Sequence, residues 1–257
     1  MLEGFVMGAI QGIAEWLPLS SDGLVSLAGV NFFGKNYTAA YSMAVFLHIG
    51  TFFAALIYLR KDVFSIFKKE NRQIFNFLFL STLFTGVVSV PLVIFAEKYF
   101  ADVSSGVVSG AVGIFLIITG LALFRKKESE FREVKDVNFK DGVIAGILQG
   151  FSSLPGLSRS GLTIASLLFR RFNDTDALKL SFLMSLPAVF CANVFFFISG
   201  RGIEIGISGI TGVLTSFVFG LLTMGFLFRL SKKINFGWFA VSFGFLVLLS
   251  AFSQIVF

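Results

Sequence analysis

Glu15 and Arg159 are the residues whose chemistry stands out, because each interrupts a strongly apolar stretch where the helix pattern also breaks. Glu15 lies four residues after Gln11, which puts both on one side of a half-helix. An ionised carboxylate at mid-bilayer costs on the order of 3 kcal/mol, so Glu15 is expected to face a cavity and to hold a cation or a proton. Its alternative is a structural ion pair. Arg159 sits in Pro155-Gly156-Leu157-Ser158-Arg159-Ser160-Gly161-Leu162-Thr163. Its planar donor fork suits phosphate oxygens. Ser158, Ser160 and Thr163 surround it, and the free N–H groups of a half-helix starting there attract anions. The group reads as a phosphate cradle. The plainer reading is an arginine that neutralises Glu15 and locks two segments together, and both roles can coexist.

Ser20, Ser21 and Asp22 follow Pro18. They are good N-caps for a second half-helix. One of the hydroxyls could also bind or attack phosphorus, given a base to take its proton, and Asp22 and Glu15 are the nearest in sequence. His48 is the only histidine; it is either a satisfied packing residue or a cavity-lining proton carrier. Trp16 and Trp238 read as packing or interfacial residues, and Gly106 and Gly110 as a helix-packing pair. The single Cys191 sits in an apolar run and is expected to be a core thiol, without disulfide or metal chemistry.

The elements that position these residues must lie in lipid. The chain is 56% hydrophobic and 14% charged, with 36 Phe among 257 residues and a mean hydropathy of +0.87; soluble chains carry about 25% charge. A net charge of +6 then points to cytoplasmic loops and anionic lipid rather than nucleic acid. The N-terminus lacks the basic region and cleavage site of a signal peptide and is expected to stay in the mature protein. Six runs are long enough to span a bilayer: about 39–59, 74–95, 106–124, 180–199, 213–230 and 237–256. Two further segments, about 2–33 and 142–169, carry Gly, Pro, Ser and charge in their middles. Broken backbone at membrane depth is tolerated only inside protein or beside a cavity, so both are read as re-entrant hairpins, with one kinked span each as the alternative. Seventeen of the 21 basic residues then fall on one side, in loops 60–73, 125–141, 170–179 and 229–236. The positive-inside rule puts that side in the cytoplasm and both termini outside.

The two broken segments repeat. Gly4, Gly8, Gln11 and Gly12 match Gly142, Gly146, Gln149 and Gly150 at an offset of 138, and Leu17-Pro18 matches Leu154-Pro155 after one gap. Three spans after each hairpin invert the second half. The expected fold is an all-α polytopic membrane protein, one membrane domain over 1–257, with repeat one at about 1–124 and repeat two at about 142–257. Inverted repeats with broken helices share a site near the midplane, where the hairpin tips would meet.

Gln11-xxx-Glu15-xx-Pro18-x-Ser20-Ser21-x-Gly23 and Pro155-Gly156-x-Ser158-Arg159-Ser160-Gly161-x-Thr163 resemble the two signatures of the undecaprenyl-diphosphate phosphatase (bacitracin-resistance) family, over essentially the whole chain. The resemblance implies six spans and two re-entrant hairpins. It also implies removal of the terminal phosphate of a polyprenyl diphosphate at the outer face, aided by Mg²⁺ or Ca²⁺. By it, Glu15 and Gln11 form the acidic motif and Glu15 holds the metal. Ser21 is the catalytic serine, and Arg159 binds the diphosphate, with Ser20, Ser158, Ser160 and Thr163 beside the substrate. Leu24 stands where bacterial members have a histidine, which His48 or Asp22 could replace. An acidic residue after Ser-Ser looks like archaeal members, whose carrier would be dolichyl-type. Expected partners are the lipid substrate and the membrane, with a homodimer left open and nucleic acid not expected. The competing reading is a flippase for a polyprenyl phosphate or another lipid anion.

Overall fold

The local chemistry of two short stretches, 15–20 and 152–158, decides the architecture. Pro18 has no N–H and pushes Leu17 out of the helical region, so the first helix stops at Ala14 and the chain restarts at Ser21. The computed structural model describes residues 1–99, 131–154, 157–199, 206–231 and 236–256, with isolated positions between 110 and 121. The expected span 106–124, apart from those positions, lies outside the described residues, as do Gly106, Pro155, Gly156 and the basic residues 125–127, 201, 232 and 233.

The described elements are all helical. Helix α1 (Leu2–Ala14) and α2 (Ser21–Phe33) form the first broken pair. They are followed by α3 (Tyr37–Tyr58), the short α4 (Arg60–Ile66) and α5 (Arg72–Tyr99). The second broken pair is α6 (Phe139–Phe151) and α7 (Arg159–Phe169). Then come α8 (Asp174–Ile198), α9 (Ile207–Leu230) and α10 (Phe236–Val256). Among the described residues, four stretches are long and apolar enough to cross a membrane: Thr38–Tyr58, Lys69–Ile94, Asp174–Ile198 and Ile207–Leu230. Helices of 13 residues, such as α1 and α6, rise only about 20 Å and fall short of the bilayer core.

The loop expected at 170–179 is shorter than read. Asn173 Oδ1 accepts from the Asp176 N–H at 2.9 Å, and this local capping bond starts α8 at Asp174, so Lys179 is a helical residue. Cys191 also corrects its expectation: it is exposed, not core. It shares its surroundings with the exposed Phe190 and Val194, on a stretch whose outer side is as apolar as its inner side.

The chain forms two compact units, Met1–Val63 with Ser185–Leu227, and Phe64–Met184 with Phe228–Phe257. In the first, α2 and α3 pack together and α1 lies against both. In the second, α6 packs along α5 and against α7. Each unit thus joins a broken pair from one repeat to a long helix from the other.

Small residues allow that joining. A Cβ on Gly12 would stand 2.7 Å from the Ser216 carbonyl oxygen of α9, and one on Gly8 would overlap the Gly212 carbonyl. A Cβ on Gly146 would stand 2.5 Å from the Ser81 carbonyl oxygen of α5. Backbones this close give van der Waals packing where lipid leaves no hydrophobic drive between helices. Gly146→Ala is therefore expected to destabilise the protein by about 1–3 kcal/mol through overpacking. Gly86, also on α5, has open space around its Cβ position, and Gly86→Ala should be neutral or gain up to about 1 kcal/mol. Melting temperatures of the two variants in one detergent check this; equal shifts would refute it.

Candidate active site

In the first unit, three side chains converge on one carboxylate. Glu15 ends α1 in helical geometry, its N–H bonded to the Gln11 carbonyl. The residue is 4% exposed. Glu15 Oε2 accepts from Gln11 Nε2 at 2.9 Å and from Ser21 Oγ at 2.7 Å. His48 Nε2, from α3, stands 3.1 Å from the same oxygen. The spacing of four between Gln11 and Glu15 brings them together as their helical positions require. Charge-assisted bonds of this kind contribute about 1.5–3 kcal/mol each, enough to offset the burial of the carboxylate. Asp22 is partly exposed, with Oδ1 3.8 Å from His48 Nδ1.

Ser20 caps α2: its backbone is extended and its Oγ accepts from the Gly23 N–H at 3.3 Å. That cap makes Ser21 the first helical residue and turns its hydroxyl toward Glu15. Leu24, where the resemblance expects a histidine, is 40% exposed. The imidazole at this carboxylate comes from α3 instead. Helix α3 packs against both α1 and α2, which brings His48 within reach of Glu15.

In the second unit, Ser158 repeats the cap. Its Oγ accepts from the Gly161 N–H at 3.1 Å and lies 3.1 Å from Ser160 Oγ. Ser20 and Ser158, and Gly23 and Gly161, are each 138 positions apart, so Ser21 and Arg159 occupy the same first helical position of α2 and α7. Arg159 is half-buried there, where the N–H groups of a helix start and its dipole favour an anion. Thr163 is fully buried, and its hydroxyl bonds the Arg159 carbonyl at 2.9 Å and Ser181 at 2.6 Å, which fastens α7 to α8. Gln149, the repeat partner of Gln11, donates from Nε2 to Thr85 Oγ1 at 2.9 Å; no acid follows it. The structure thus brings Gln11, Glu15, Ser21, His48 and Asp22 together in one unit, and Ser158, Arg159, Ser160 and Thr163 in the other.

One polar cluster went unread in the sequence. Asp141, fully buried, accepts from Arg132 at 3.0 and 2.5 Å and from Arg170 Nε at 2.6 Å. Burial pushes its carboxyl up, but the Arg132 and Arg170 hydrogen bonds outweigh it and hold the pKa below the usual carboxylate value. Arg132 also lies over the Phe172 ring, 4.3 Å from its centroid. Glu3, 138 positions earlier, pairs with Lys35 at 2.9 Å. Each broken pair is therefore closed at its open end by an acid from its first helix and a base just beyond or at the end of its second. Trp16 is buried, a packing residue, while Trp238 is exposed.

These elements define a multi-pass α-helical membrane protein with two matched broken helix pairs, one presenting a serine on a buried carboxylate and the other a helix-capped arginine. Comparison with known proteins gives the particular family: the family model of the bacitracin resistance protein BacA matches residues 4–248, and the chain belongs to that family. The undecaprenyl-diphosphatase of Methanococcoides burtonii is 37% identical, over 97% of this chain and 98% of its own length. Those of Methanothrix thermoacetophila and Sulfurisphaera tokodaii are 37% and 35% identical, over 96% and 91% of this chain and 95% and 91% of theirs.

Proposed function

We propose that this protein is a polyprenyl-diphosphate phosphatase, releasing the terminal phosphate of an undecaprenyl- or dolichyl-type diphosphate to leave the monophosphate. The observation that carries the reading is the 2.7 Å hydrogen bond from Ser21 Oγ to the buried Glu15 carboxylate, within the reach a general base needs. The relatives' activity toward undecaprenyl diphosphate supports it.

Ser21 Oγ attacks the terminal phosphorus as its proton passes to Glu15 Oε2. The new O–P bond forms, the bridging P–O bond breaks, and its electron pair leaves with the polyprenyl phosphate. Glu15 hands the proton to the departing phosphate, takes one from the water that attacks the phosphoserine, and returns it to Ser21. Arg159 binds the diphosphate oxygens through its fork, with Ser158 setting the start of its helix.

Gln11 Oε1 is buried and has no hydrogen-bond partner. Beside Glu15 it makes a small hard-oxygen set. Two oxygen-bearing side chains suit a divalent ion that arrives with phosphate oxygens, as Mg²⁺ commonly does, rather than an all-protein cage. When bound, such an ion would neutralise charge developing on the phosphate.

The accompanying membrane arrangement has six spans and two re-entrant hairpins, both termini outside and the site opening to the outer face. Its support is the basic-loop bias and the shortness of the four broken-pair helices. A flippase would need no serine aligned on a carboxylate. The test is inorganic phosphate released by purified protein from a detergent-solubilised polyprenyl diphosphate with Mg²⁺ or Ca²⁺ added. Release is expected; none across a range of divalent ions and pH would overturn the proposal.

A further inference from the structure

We infer that His48 is a positioning residue for this reaction, holding the Glu15 carboxylate in the orientation that receives the Ser21 proton. The inference rests on the phosphatase reading and adds a residue on a third helix to it. A carboxylate rotates readily about its last side-chain bond, where the torsional wells are broad, so proton transfer from one hydroxyl requires that one oxygen be fixed. Gln11 and Ser21 belong to the same broken pair as Glu15, and their bonds move with it. His48 differs: it reaches Oε2 at 3.1 Å from α3, which packs against both α1 and α2.

The ring is itself held. His48 Nδ1 lies 2.9 Å from the Ala44 carbonyl oxygen, one turn back on α3. That oxygen and the Glu15 carboxylate can only accept, so both ring nitrogens donate and the ring plane is set, with Nε2 aimed at Glu15. The backbone behind the ring is anchored too. Ser216 Oγ of α9 donates to the Leu47 carbonyl at 2.9 Å, and Ala44 and Leu47 are fully buried. Partners that orient a reactive group from outside contribute about 10–100-fold to activity.

His48→Ala is expected to lower kcat by about 10–100-fold with KM little changed. His48→Gln, whose amide can donate from a similar reach, should recover most of that loss. Melting temperatures run alongside show whether each variant folds; should His48→Ala not fold, the His48→Gln comparison and the resonance below decide. Because this is the only histidine, its ¹⁵N-labelled ring gives one pair of resonances, and Glu15→Gln should move that of Nε2. A folded His48→Ala with wild-type kcat, a His48→Gln no better than His48→Ala, or an Nε2 resonance indifferent to Glu15→Gln would each overturn the inference. A wild-type protein that releases no phosphate would instead overturn the phosphatase reading, and the resonance would still report on the contact.

Discussion

Glu15→Gln lowers phosphate release by about 10²–10⁴-fold, the range a positioned general base contributes. The substitution keeps the shape of the side chain and leaves an oxygen that can still accept from Ser21 or His48. It removes the capacity to take a proton. The loss should therefore fall on kcat, with substrate affinity nearly preserved and the melting temperature close to that of the parent. Glu15 sits at the end of α1 with Gln11 and Ser21 bonded to the same oxygen, so little repacking is needed. Steady-state kinetics on a solubilised polyprenyl diphosphate measure it. A variant within tenfold of the parent would show that the carboxylate is no base and that its bond to Ser21 is structural.

Arg159→Ala lowers kcat/KM by about 10²–10³-fold, comparable to the removal of one preorganised donor from an anion site. Its distinguishing feature is the failure of lysine to replace it. Lysine keeps the charge but offers a point donor in place of a planar fork, so Arg159→Lys should recover only a minor part of the loss. Calorimetric binding of a non-hydrolysable methylene diphosphonate lipid reports the same defect without turnover, because Arg159 is assigned to binding. Wild-type affinity in Arg159→Ala would remove the arginine from the substrate site. It would leave Ser158 and Arg159 as no more than the start of α7, whose capping bond to Gly161 does not need a guanidinium.

What the sequence conveyed depended on how local each signal was. The breaks after Ala14 and after Phe151, the caps at Ser20 and Ser158 and the shared face of Gln11 and Glu15 all follow from residues within one or two turns of each other. The hydrogen bonds at those positions agree. His48 could not be settled, because its partner is on another helix and no periodicity links the two. The Asp141 cluster was half legible: Asn138 and Asp141 have capping-box spacing and form one, but the Arg132 and Arg170 contacts come from other elements. Cys191 misled because burial cannot be read from hydrophobicity in lipid. A helix that is apolar all round gives no sign of which side faces protein.

The exchange of elements between repeats sets the order in which this chain can mature. Gly8 meets Gly212, a residue made 204 positions later, whereas Gly146 meets Ser81 across only 65. At roughly 5–20 residues per second of synthesis, the first ribosome-emergent helix waits on the order of 10–40 s for its mate. The second broken pair finds its own already inserted. The cluster of the serine and its carboxylate is thus closed only once α9 has been made, and a nascent chain arrested before α9 would carry every group of that cluster with one flank still bare.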